Sequence, residues 1–145
     1  MLKPVVYLST STSQSESNSI QLVGSGSQLV EVEGRTLEGQ FVNSAGELLL
    51  VLTDDCPFEE TLRLVLLSPD LDVIDSLEFA SPYDSFIVQQ VSVMPGNQVQ
   101  VQVQGNNQQS FNAELLDQPM SLSAQLAAKY AGQVVSQRKR MTLSF

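Results

Sequence analysis

Residues 46–104 read GELLLVLTDDCPFEETLRLVLLSPDLDVIDSLEFASPYDSFIVQQVSVMPGNQVQVQVQ. Runs of apolar β-formers alternate five times with gaps rich in Pro, Gly, Asp or Asn, the pattern of an antiparallel meander. The first run, Leu48–Leu52, is apolar at every position, so both of its faces should be covered and its strand should be central. In the second, Leu62, Leu64 and Leu66 make one face and Arg63, Val65 and Leu67 the other. The third alternates Val73, Asp75, Leu77 and Phe79 with Ile74, Ser76 and Glu78. Asp75 is out of place on that apolar face, and a strand end reached by water is the expected explanation.

The fourth run, Phe86–Val93, changes phase: Phe86 and Val88 are even, Val91 and Val93 odd, with Gln89 and Gln90 between. A β-bulge at the glutamines lets both pairs face inward. Met94-Pro95-Gly96-Asn97 places Pro and Gly at the central positions of a type II turn. In the fifth run Val99, Val101 and Val103 point inward and the glutamines between them outward.

Upstream, Val5–Leu8 is expected as a short strand, followed by Ser9–Ser19, in which eight of eleven residues are Ser or Thr. That composition fits a linker, or an extended arm resting on a partner. Ile20–Val23 and Leu29–Glu33 follow as strands around Gly24–Ser27. In Leu37–Val42, Leu37 and Phe41 are expected on one face and Glu38 and Gln40 on the other. Downstream, Gly105-Asn106-Asn107 turns into a strand with Phe111, Ala113 and Leu115 inward. Beyond Pro119, Leu122, Leu126, Tyr130 and Val134 recur every four residues, so a helix is predicted over 120–137. Ser121 or Ser123 caps it, and Arg138, Lys139 and Arg140 sit at its C-terminal end. Residues 138–145 form a basic and apolar tail whose Met141, Leu143 and Phe145 return to a sheet. The expected fold is therefore mainly β: a single domain over 1–145, an antiparallel β-sandwich or distorted barrel of about eight to ten strands with one C-terminal helix.

The chain has no His, which excludes Ser-His-Asp and Cys-His catalysis and histidine metal sites. Cys56 has neither a disulfide partner nor an imidazole, and Asp54 and Asp55 disfavour its thiolate. No phosphate-binding or nucleophile-elbow motif occurs. Asp54, Asp55, Glu59 and Glu60 flank one turn and Asp70, Asp72 and Asp75 another. Asp70-x-Asp72 lacks the Gly and terminal Glu of a calcium loop, and both sets read as solvated turns. Catalytic, cofactor and metal residues are accordingly expected to be none. No apolar stretch approaches membrane-spanning length. The apolar run after Lys3 is shorter than a secretory core, so a cytoplasmic protein, or one built into a particle, is expected.

Ser and Gln supply the solvation, with 19 and 16 copies, while only 16% of residues are charged. All sixteen acidic residues lie at or before Asp117, against Lys3, Arg35 and Arg63, a net −13. Lys129, Arg138, Lys139 and Arg140 give the last 28 residues +4. Acidic body and basic tail should attract, within a chain or between neighbours, whereas the body would repel a nucleic-acid backbone. Val99, Gln100, Val101 and Gln102 belong to a Val/Gln run without Lys or Pro. It must lie inside a sheet or pair with another chain. With Arg138, Lys139 and Arg140 these are the candidate interface residues. The composition resembles that of accessory proteins of viral or phage particles. The expected function is a non-catalytic structural or protein–protein interaction subunit, a homo-oligomer or part of a larger assembly. The alternative is a monomeric β-sandwich that grips a small ligand or carbohydrate through loops.

Overall fold

The computed structural model describes residues 2–10, 19–24, 26, 28–55, 60–80, 86–105 and 110–145. The elements are β1 Lys3–Pro4, β2 Ser9–Thr10, β3 Ser19–Val23, β4 Leu29–Glu33, β5 Thr36–Val42, β6 Leu48–Thr53 and β7 Thr61–Leu67. They continue with β8 Val73–Ala80, β9 Phe86–Met94, β10 Gln98–Gly105, β11 Ser110–Leu115, α1 Leu122–Tyr130, β12 Val134–Val135 and β13 Met141–Ser144. Among the described residues ten strands have four residues or more, and β1, β2 and β12 have two. Every pairing is antiparallel.

The strands form three layers. The central sheet has order β1-β5-β6-β7-β8, the C-terminal sheet β12-β13-β11-β10-β9 and the N-terminal sheet β2-β3-β4. β6 is buried at every position, as its unbroken apolar run requires. Leu49 and Val51 enter a core shared with Val99, Val101, Phe111 and Leu143 of the C-terminal sheet. Leu48, Leu50 and Leu52 enter a second core with Ile20, Leu22, Val30 and Val32 of the N-terminal sheet. β7 divides in the same way, Leu62, Leu64 and Leu66 to the first core and Val65 and Leu67 to the second. The result is a β-sandwich with an extra layer outside, because the middle sheet is apolar on both sides. No helix among the described residues is long and apolar enough to cross a membrane.

Among the described residues three bulges set which side chains reach which core. In β9 the register moves from Gln102↔Gln90 to Val103↔Val88, leaving Gln89 as the extra residue. Phe86, Val88, Val91 and Val93 thereby all pack on the first core, as the phase change predicts. In β5, Leu37 pairs Leu52 and Gly39 pairs Val51, so Glu38 is extra. Leu37 consequently packs on the second core and Phe41 on the first, correcting the expectation that they share a face. In β8 the register passes from Leu66↔Asp75 to Leu67↔Val73. Ile74 turns onto the first core, and Val73 is left 53% exposed. A bulge of this kind is invisible to strict period-two reading unless the apolar pattern itself breaks phase.

Four other expectations need correction. Val5–Leu8 forms no strand, because it carries the chain from one layer to the next, with Leu2 in the first core and Leu8 in the second. Its backbone is held instead by Gln40, whose Oε1 accepts from Tyr7 N (3.0 Å) and Leu8 N (2.8 Å) while its Nε2 donates to Leu8 O (2.9 Å). The ends of the serine-rich segment are strands: Ser9 pairs Val23 and Thr10 pairs Leu22. Its remainder lies outside the described residues, as do Cys56, Glu59, Asn106 and Asn107. The helix is shorter than 120–137. Ser121 Oγ accepts from Ala124 N at its start, and Gly132, at φ +74°, ends it. Gln133 N donates to Ala128 O (2.9 Å) and Gly132 N to Lys129 O (3.1 Å), a Schellman closure that turns Val134 into β12. Arg138–Arg140 therefore lie between β12 and β13 and not at the helix end. Finally, Asp75 is 2% exposed instead of wet.

Candidate interaction surface

The charged residues singled out in the sequence divide into those spent on the fold and those left outside. Asp75 belongs to the first group. Its carboxylate accepts from Ser76 N (2.8 Å), Arg138 N (2.8 Å), Arg140 N (3.0 Å) and the Ser136 hydroxyl, fastening the β12–β13 turn to β8. Glu60, also buried, accepts from Asp54 N (2.7 Å) and Thr61 N (3.0 Å). Asp54 in turn takes both Arg63 Nε (2.8 Å) and Arg63 Nη2 (3.1 Å). Arg63 Nη1 reaches Glu33 (2.8 Å) and Glu78 (3.0 Å). The Asp54 hydrogen bonds hold the guanidinium above its ordinary pKa against the opposing effect of burial, so it stays charged.

Arg140 is tied down as well. It donates to Glu47 Oε1 (2.8 Å) and Oε2 (3.2 Å), and its Nε to Leu116 O (2.6 Å). The Arg140 guanidinium lowers the Glu47 pKa, with the Asn43 amide assisting and burial opposing. For this pair the attraction between body and tail operates within one chain. Arg138 and Lys139 are exposed, and Lys139 turns the chain at φ +65°.

Of the Val/Gln residues, Val99 and Val101 are fully buried in the first core, while Gln100 is half-buried and Gln102 exposed. β10 is paired on both sides, to β9 and β11, so the run lies inside a sheet. Its glutamines join Ser92, Gln90, Ser110, Asn112 and Glu114 from the neighbouring strands in a polar face with little charge. Among the described residues no group of three His, Cys, Asp or Glu is placed to hold a metal ion.

Two surfaces stand out among the described residues. On α1 the small Ala128 faces the body, and Leu122, Leu126 and Tyr130 face outward at 77%, 56% and 90% exposure. The stripe that suggested a buried helix face is thus turned to solvent. Its Leu122 end shares a shallow basin with Met120, Arg138 and Lys139. The second surface is a groove of about 540 Å³ where the edges of all three sheets converge. β4 contributes Glu31 and Glu33, β7 Arg63, β8 Ser76 and Glu78, and β12 Val134 and Val135. The sequence shows the alternation of Glu31 and Glu33 with Val30 and Val32, but not that β4 ends a sheet beside β8. No protein-family model, curated protein or solved structure matches this chain.

Proposed function

We propose that the protein is a non-catalytic assembly subunit, binding copies of itself within a homo-oligomer or a larger particle. The observation that carries this reading is the face of α1, where three large apolar side chains stand 77%, 56% and 90% exposed in one line. Apolar surface gathered in this way is costly in water and marks an interaction site. Cations flank it: Lys129 on α1, and Arg138 and Lys139 beside Leu122 in the basin. The rest of the chain, residues 1–117, carries a net −13, so a second copy offers the complementary charge.

Sedimentation velocity across a range of concentrations and salt tests this. The unaltered chain should form oligomers that weaken as salt screens the contact. Leu126→Gln with Tyr130→Gln should give a monomer of unchanged circular dichroism, and Arg138→Glu with Lys139→Glu should weaken assembly about tenfold or more. Removing residues 138–145 is not a usable alternative, since β13 places Met141 and Leu143 in the first core. A chain that stays monomeric in low salt overturns the reading. The 540 Å³ groove supports a second reading, a small-ligand or carbohydrate module, being within the size range of such sites. A salt-indifferent monomer that binds a glycan would favour it.

A further inference from the structure

The N-terminal sheet stops one strand short of the edge of the sheet it covers. Among the described residues, the second core takes central-sheet side chains from β5, β6, β7 and the Leu71 turn, and none from β8. The groove occupies that uncovered strip. Its wall, β4, is an open edge: β4 pairs β3 on one side and no described strand on the other.

The direction of the unpaired groups follows from the ladder. Gly24 N donates to Gln28 O at 2.8 Å, which makes that a hydrogen-bonded pair. By alternation Leu22↔Val30 and Ile20↔Val32 are hydrogen-bonded too, so Leu29, Glu31 and Glu33 aim their N–H and C=O groups at the open side. Beneath, Gln137 N donates to Ser76 O, which shows that Ser76, and Glu78 two residues on, direct their backbones outward from β8. Glu31, Glu33 and Glu78 are among the lining residues, against the single cation Arg63. Arg63 is shared between Asp54, Glu33 and Glu78, and Glu31 accepts from the Ser19 hydroxyl (2.6 Å), so the groove keeps an excess of negative charge.

We propose that β4 accepts an extended, cationic segment of a partner protein as a fourth strand of the N-terminal sheet, laid in the groove over β8. Five residues of β4 provide about 17 Å of edge. An added strand has period-two side chains, so one set follows Val30 and Val32 downward and the other stands beside Glu31 and Glu33. Small apolar residues suit the first set and Lys or Arg the second. The backbone bonds supply affinity and the charges supply choice of partner.

Fluorescence polarisation with a labelled, end-blocked heptapeptide of alternating lysine and valine tests this. It should bind the Leu126→Gln, Tyr130→Gln chain, whose groove is unaltered, so the outcome is independent of assembly through α1. Affinity should fall with salt and exceed that of the glutamate-for-lysine peptide by about tenfold or more. Glu31→Pro removes an outward N–H without touching the β3–β4 ladder and should cost about tenfold or more. Glu33→Gln with Glu78→Gln should weaken binding by roughly three- to tenfold and flatten its salt dependence. A lysine peptide N-methylated at alternate residues gives the same answer on the unaltered groove, by failing to bind. Equal binding of the lysine and glutamate peptides, of the methylated and parent peptides, or no binding at millimolar peptide overturns the proposal.

Discussion

Asp75 sits where period-two alternation puts an apolar side chain, and it stays buried because four donors converge on it. Truncating it removes the acceptor of Arg138 N, Arg140 N and the buried Ser136 hydroxyl at once. Asp75→Ala should therefore destabilise by about 3 kcal/mol, read as the shift in urea midpoint, with Asp75→Asn intermediate because it keeps one acceptor oxygen. A loss under about 1 kcal/mol would mean that the β12–β13 turn is held by other means. Glu47 gives a pH signature. Its folded pKa lies below the ordinary value of 4.5, so the stability it adds is fully present above the unfolded pKa and drains as pH falls through the folded one. The chain should be more stable than Glu47→Gln at pH 7, and the gap should close below roughly pH 4. A gap that persists unchanged into acid would show that the Arg140 pairing is not its source.

β6 and α1 show opposite relations between a segment's pattern and its surroundings. For β6 the pattern decides: five consecutive apolar residues need cover on two sides, and two further sheets provide it. Leu50→Ala, at 0% exposure, should cost about 2–5 kcal/mol in denaturant unfolding, since a strand clamped between layers has little room to collapse around the cavity. A value near 1 kcal/mol would indicate that the second core is loosely packed. For α1 the four-residue repeat is real, but it marks the face pointing away from the body, because Ala128 permits closer approach than Leu126 would. Gly132 was the legible sign of where the helix ends. A Gly between a helical repeat and a Val-Val pair reads better as a left-handed closing residue than as a weak interior one.

The two cores share β6 and β7, so the three layers should unfold together. Leu22→Ala lies in the core above and Leu64→Ala in the core below, both at 0% exposure. Each should lower one common transition by about 3 kcal/mol. Far-ultraviolet circular dichroism and tyrosine fluorescence, to which Tyr7 on the second core contributes, should trace the same curve. A separate early transition for Leu22→Ala would show that the N-terminal sheet folds on its own. Across the molecule the charges are arranged so that Arg63 and Arg140 are consumed internally. The exposed Arg138 and Lys139 stand beside the apolar face of α1, and acidic β4 and β8 border the groove.

The amino-acid order alone determined the antiparallel meander, the two-sided burial of β6, the bulge at Gln89 and the inward valines of β10. Each is written in local apolar periodicity, and the cost of exposing such a face is paid wherever the strand lies. Only the tertiary structure decided the bulges at Glu38 and Ile74, the burial of Asp75, the outward face of α1 and the groove beside β4. Those depend on which strand ends a sheet and which donors or layers arrive from distant parts of the chain. Adjacency of that kind comes from packing, and no window of neighbouring residues contains it.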